Sequence, residues 1–236
     1  MKGLLVRVAA DQSDGGGYWN GPADPTSGQF TYVAIPETRR VHRGLRRPYS
    51  AIAAHLAQLG SSLPRHFAQS HMHLDPDFDH LTYGDVNERA KQISNKLGSG
   101  DLLVFYAGLQ STLPADGLVY ALIGLYVIEE IVFAASVPAS RRDENAHTRR
   151  ILTANATDIV VRGRANVSGR LKRCIAVGDF RRHAYRVWPQ LQKTWGGLSV
   201  KDGYLQRSAR LPELLNAARF YDWFLAHNPV LVARNN

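Results

Sequence analysis

Three carboxylates crowd into five residues of this 236-residue chain, at Asp75, Asp77 and Asp79. Like charges this close repel unless protons, cations or hydrogen-bond donors stand near them, and that need is a first sign of a site. Asp11, at the end of an apolar run, and Asp85, two residues after Tyr83, extend the set. Asp11, Asp75, Asp77 and Asp85 are therefore the candidate catalytic residues. Two such carboxylates at a suitable separation, Asp11 and Asp77 for example, can act as acid and nucleophile in glycosyl transfer or hydrolysis without a cofactor.

Just upstream, His71-Met72-His73-Leu74-Asp75 alternates ligand types with polypeptide spacers. On an extended strand that alternation could turn two imidazoles and a carboxylate to one side, as Zn²⁺ or Fe²⁺ requires. The run resembles the H-x-H-x-D-H signature of metallo-β-lactamase-type hydrolases, but Pro76 stands where the second-metal histidine belongs. The expectation is a histidine-rich surface loop with no metal. Nucleophilic routes find little support. Cys174 sits in an apolar run as a core thiol, and there is no G-x-S-x-G elbow, P-loop or dinucleotide-binding glycine fingerprint. Gly15-Gly16-Gly17 alone is weak as a phosphate cradle, and no cofactor is expected.

These residues must be positioned by a modest set of elements. Leu4 to Val8 reads as a strand ending at Asp11, followed by a Gly-rich loop over 11–28 and a strand over Phe30 to Ile35. A helix is expected over 50–59 with Gly60 as its stop, and another after Asp85 and Glu88, which form a capping-box-like start. Ala90, Ile93 and Leu97 would be that helix's buried face. Leu102 to Tyr106 and Val119 to Ile128 are the densest β signals, and a short Pro/Gly loop joins them as adjacent central strands. Residues 138–158 read as loop or short helix, Ile159 to Val161 and Cys174 to Val177 as weaker strands, and 212–226 as a helix with Pro212 in its first turn. No repeat or low-complexity linker divides residues 1–236, so a single α+β domain is the expectation.

Charge narrows the partner. The formal net charge is +9, but residues 141–236 carry 18 of 29 Lys+Arg against 7 of 20 Asp+Glu, while residues 1–140 are slightly acidic. A basic half beside an acidic one suits a polyanion-binding face next to a site with its own acid chemistry. Arg162, Arg164, Arg170, Lys172 and Arg173 are the candidate phosphate contacts. No apolar run reaches the length of a membrane span, since Leu118 to Ala135 is broken by Glu129 and Glu130. With a single cysteine, a reducing cytoplasm and no membrane association are expected.

Two resemblances sharpen this. Gly100-Asp101-Leu102-Leu103-Val104-Phe105-Tyr106 and Ala121-Leu122-Ile123-Gly124-Leu125-Tyr126 resemble the paired barrel strands of EVE- and ASCH-type PUA-like domains, and Leu205 to Pro212 resembles the segment that closes them. Leu4 to Asp11, Tyr32 to Glu37, His73 to Phe78, Leu81 to Asp85 and Asp101 to Leu109 are similar to the third family of nucleotide-modification-associated domains. What the resemblance implies is a curved, mostly antiparallel PUA-like barrel with flanking helices that recognises a modified base in DNA, or less readily RNA. A base taken from its stack needs an aromatic face and a polar group for its edge. Tyr18, Trp19, His73, Tyr83, Tyr106, Arg207 and Ser208 are the candidate base- or nucleotide-binding residues, with Arg207 offsetting Asp75 or Asp77. The alternative is an enzyme that uses the aspartates on a nucleotide or modified base.

Overall fold

The structure is a computed structural model that describes residues 1–113, 117–205 and 210–236. Its principal strands are β1 (Gly3–Arg7), β2 (Thr82–Asp85), β3 (Leu102–Ser111), β4 (Leu118–Phe133), β5 (Ile159–Gly163), β6 (Gly169–Arg181) and β7 (Ala184–Val187). Helices α1 (Ala53–Gln58), α2 (Asn87–Lys96), α3 (Ala146–Arg149), α4 (Pro189–Trp195) and α5 (Ala217–Ala226) surround them. As the two dense apolar runs predict, β3 and β4 lie side by side, antiparallel, with Val104 opposite Leu125. β1 joins the other edge of β3 in parallel, Leu5 opposite Val104. β4 has two successive neighbours, β6 against Tyr120 to Leu125 and β5 against Ile128 to Phe133. Register shifts fall at Phe105/Tyr106 and at Ile128/Glu130. An extra residue in one strand increases local twist, and the result is a strongly curled, half-barrel-like, mostly antiparallel sheet in an α+β chain.

β3 is apolar without alternation because both its faces are covered. Leu103, Phe105, Ala107 and Leu109 enter one core with Tyr32, Leu56, Phe78 and Ile93. Leu102, Val104 and Tyr106 enter a second core with Trp195, Phe220 and Phe224. Fully burying one such ring stabilises by about 1.5–3 kcal/mol relative to exposure, so these two cores fix the sheet against which the site is built.

Two helices start elsewhere than the sequence suggests. The expected helix over 212–226 begins at Ala217, capped by the Asn216 side chain on the Arg219 N–H. Residues before it stay extended because β1 has a free edge. Leu5 N–H donates to Pro212 O and Leu214 N–H to Gly3 O, and such pairing protects an otherwise open edge. Asp85 closes β2 rather than opening α2; its Oδ1 accepts from the Val86 N–H and its Oδ2 pairs with Arg89 at 3.0 Å. Among the described residues no helix is long and apolar enough to cross a membrane.

Candidate functional site

The end of β1, the strand β2, the helix α3 and the segment over residues 35–39 enclose a cavity of about 280 Å³. Asp75 lines it and is held from behind. Its Oδ1 accepts from the Gly84 N–H at 2.5 Å and from Asn145 Nδ2 at 3.2 Å. Oδ2 is thereby left facing two imidazoles, 3.4 Å from His147 Nε2 and 3.8 Å from His73 Nε2. Each imidazole is oriented through its other nitrogen by a further carboxylate. His73 Nδ1 meets Glu37 at 2.7 Å and His147 Nδ1 meets Asp158 at 2.5 Å. The rings stand edge to face, centroids 5.1 Å apart. The ligand-type atoms of His73, Asp75 and His147 lie within 4.8 Å of one another, which is close enough for one ion to span them.

The local sequence explains why these groups stay put. α3 is a single turn, yet a capping box fixes it: the Asn145 side chain accepts from the His147 N–H at 2.8 Å and the Thr148 hydroxyl accepts from the Asn145 N–H at 3.1 Å. β2 can pass this turn only because residue 84 is glycine, for a Cβ there would sit 2.4 Å from His147 Cδ2. Tyr83 and Asp85, two apart on β2, share a strand face. The Tyr83 hydroxyl donates to Asp85 and accepts from Arg89 Nη2, the latter at 2.8 Å.

Burial and charge set the protonation states. Burial alone would lower the His147 pKa, but its hydrogen bonds to Asp158 and Asp75 outweigh this and raise it to about 9. His73 is lowered, first by burial and then by the nearby charges of His147 and Arg150, despite the hydrogen bond to Glu37. A neutral His73 bonded to a carboxylate through Nδ1 carries its proton there and leaves the Nε2 lone pair toward Asp75. Glu37, which burial would raise, is brought down to about 2 by His73 and by Arg150, whose Nη2 lies 3.0 Å from Oε1. Arginines complete the lining. Arg89 pairs with Asp85 and Arg7 with Asp11 at 3.2 Å. Arg39 is exposed and makes no ion pair among the described residues.

Of the residues singled out in the sequence, His73, Asp75, Tyr83 and Asp85 line this cavity. Asp11 stands one ion pair behind it through Arg7, and its carboxylate also holds the Ser13 N–H at 2.8 Å. Asp77 is buried against Arg149 at 2.5 Å and Asn235 at 3.0 Å. Tyr18 is exposed and bonded to Asp14, Trp19 packs edge-on against Phe67, and Tyr106 is buried beside Tyr120. Arg207 and Ser208 lie outside the described residues. Among the phosphate candidates Arg162 is paired with Glu130 and Glu144, and Arg170 is buried over the Phe30 ring. Arg164, Lys172 and Arg173 are exposed.

Sequence reading missed His147, Asp158, Arg89, Arg150 and Arg7. The signal available for His147 was the Asn145-x-x-Thr148 frame, which fixes a turn within a polar stretch. His71 was the natural partner of His73 by spacing, whereas the fold brings in a histidine from 74 positions further on. No curated protein and no solved structure matches the chain. The match is to a family model, nucleotide modification associated domain 3, and covers residues 2–213. That span takes in β1, the Asp75 segment, β2 and α3, so the cavity lies wholly inside the matched region, and the chain belongs to the nucleotide modification associated domain 3 family.

Proposed function

We propose that this chain is an enzyme that acts on a nucleotide, or on a base within a polynucleotide, in the cavity around Asp75. One observation carries the reading: oriented acid–base groups and arginines meet in one small cavity. The family's nucleotide-modification context supports the substrate class. Arg39, exposed and in no ion pair among the described residues, is the group for a phosphate, with Arg7 and Arg89 less exposed. Asp85 is the group for moving protons. A volume of about 280 Å³ lies near the lower end of small-ligand sites. The enzyme is preferred over a reader of modified bases because the lining offers one phenol ring, Tyr83, and that ring is buried with its hydroxyl engaged. A base-stacking platform would present open aromatic faces.

The test incubates the protein with nucleoside mono- and triphosphates and with DNA carrying modified bases, and reads products by mass spectrometry. Turnover that Asp85→Asn removes, and binding that Arg39→Ala weakens, are expected. Tight retention of one modified base without product would make the chain a reader instead. Absence of both would refute the site.

A further inference from the structure

The spacing of three side chains in the cavity points beyond acid–base chemistry. We propose that His73 Nε2, Asp75 Oδ2 and His147 Nε2 bind one divalent first-row transition-metal ion. Two imidazole nitrogens and a carboxylate oxygen with free positions beside them are a recurrent donor set for such ions in hydrolases and oxygenases. The separations suit it. With bonds of about 2.1 Å, two ligand atoms stand about 3.0 Å apart at a right angle and about 3.4 Å apart at the tetrahedral angle. Asp75 Oδ2 is 3.4 Å from His147 Nε2 and 3.8 Å from His73 Nε2, and the ligand-type atoms all lie within 4.8 Å of one another, so modest side-chain movement draws the three round one ion.

The groups behind the ligands are a second, independent observation. Ligating histidines almost always give their other nitrogen to a carboxylate, carbonyl or water, which fixes the ring and its tautomer. Here both do so, to Glu37 and to Asp158, and Asp75 is itself held by the Gly84 N–H and Asn145. Every atom that would meet an ion is aimed by a partner on its far side. The charges also fit. Asp75, Glu37 and Asp158 bring three negative charges and Arg150, on Glu37, offsets one; a dipositive ion, entering as His147 gives up its second ring proton, cancels the two left. Two nitrogen donors favour a transition metal over Mg²⁺ or Ca²⁺, which take oxygen. Three protein ligands leave coordination positions for water or a substrate oxygen, and the cavity is the space beside them.

The inference shares its cavity with the proposed nucleotide site, but its test uses no nucleotide, so the two can fail separately. The chelator-stripped protein is titrated with Co²⁺ and with Zn²⁺, following Co²⁺ d–d absorption and binding heat. One equivalent is expected. Asp75→Asn and His147→Gln should each weaken binding at least tenfold, and Glu37→Gln, behind a ligand, by about 10–100-fold. A variant that fails to fold does not spare the proposal, because the zinc-edge X-ray absorption spectrum of the unaltered protein loaded with one equivalent counts the imidazoles. Two are expected. No stoichiometric binding, a spectrum with fewer than two imidazoles, or folded variants that bind as the parent does would each overturn the site.

Discussion

Asp77→Asn separates a residue that supports the site from one that reacts in it. Asp77 is 1% exposed. Its Oδ2 accepts from Arg149 Nη2 at 2.5 Å and faces His80 Nδ1 at 3.3 Å, while Oδ1 accepts from Asn235 at 3.0 Å and from the Asp79 N–H at 3.1 Å. Burial would raise its pKa, but His80, Arg149 and Asn235 together lower it, so the carboxylate is charged at neutral pH. Asparagine keeps the shape and removes the charge, leaving the buried Arg149 with Asp143 alone, 2.8 Å from Nε. Breaking one partner of a buried pair costs about 3–5 kcal/mol, and the surviving Asp143 contact sets the expectation near the lower bound, about 3 kcal/mol. In a chain of this length that is roughly 6–12 °C in Tm. Thermal melts by circular dichroism at pH 7 measure it, with turnover measured well below the melt. A Tm within about a degree of the parent would refute the buried-pair argument. A well-folded Asp77→Asn protein with no activity would move Asp77 into the chemistry.

Gly84→Ala should displace His147 and cost about 1–3 kcal/mol by overpacking, with activity falling further than stability; an active protein of parental Tm would show that β2 and α3 have slack. Burial pushes the Cys174 thiol up to about 12, so at pH 8 it stays protonated and should react with a disulfide reagent far more slowly in the folded protein than in denaturant; equal rates would contradict the burial. Replacing Arg164, Lys172 and Arg173 together with alanine should flatten the salt dependence of DNA binding by about 0.7–0.9 log units per lost contact, leaving Tm nearly unchanged because all three are exposed. An unchanged slope would make them ordinary solvated side chains. Arg162→Ala should instead lower Tm, since it removes one of the two arginines on the buried Glu144 and leaves it Arg141.

The centre of the sheet was readable because its signal is local, whereas the chain expected as a strand over Phe30 to Ile35 is irregular up to Ile35. β3 and β4 announce themselves by apolar density, and the loop between them allows only neighbours. The site was half readable: His73, Asp75, Tyr83 and Asp85 stand out within thirteen residues and do line one cavity. Their partners do not stand out, because Glu37, His147 and Asp158 are joined to them by topology and not by spacing. α4 was legible and overlooked, for Pro189 and the left-handed Gly196 frame it at either end. The late start of α5 was not legible, since it follows from β1 needing an edge partner.

The parallel pairing of β1 with β3 orders events during synthesis. Leu5 meets Val104, so the strand made first waits for about a hundred residues of further chain, or about 5–20 s on a ribosome adding 5–20 residues per second. Through that interval Leu4, Leu5 and Val6, all buried in the finished protein, have no sheet to enter, and contacts this distant in sequence close slowly. Arg7 is the last residue of that strand and lines the cavity. The cavity therefore acquires its first-made wall only after the central hairpin has emerged.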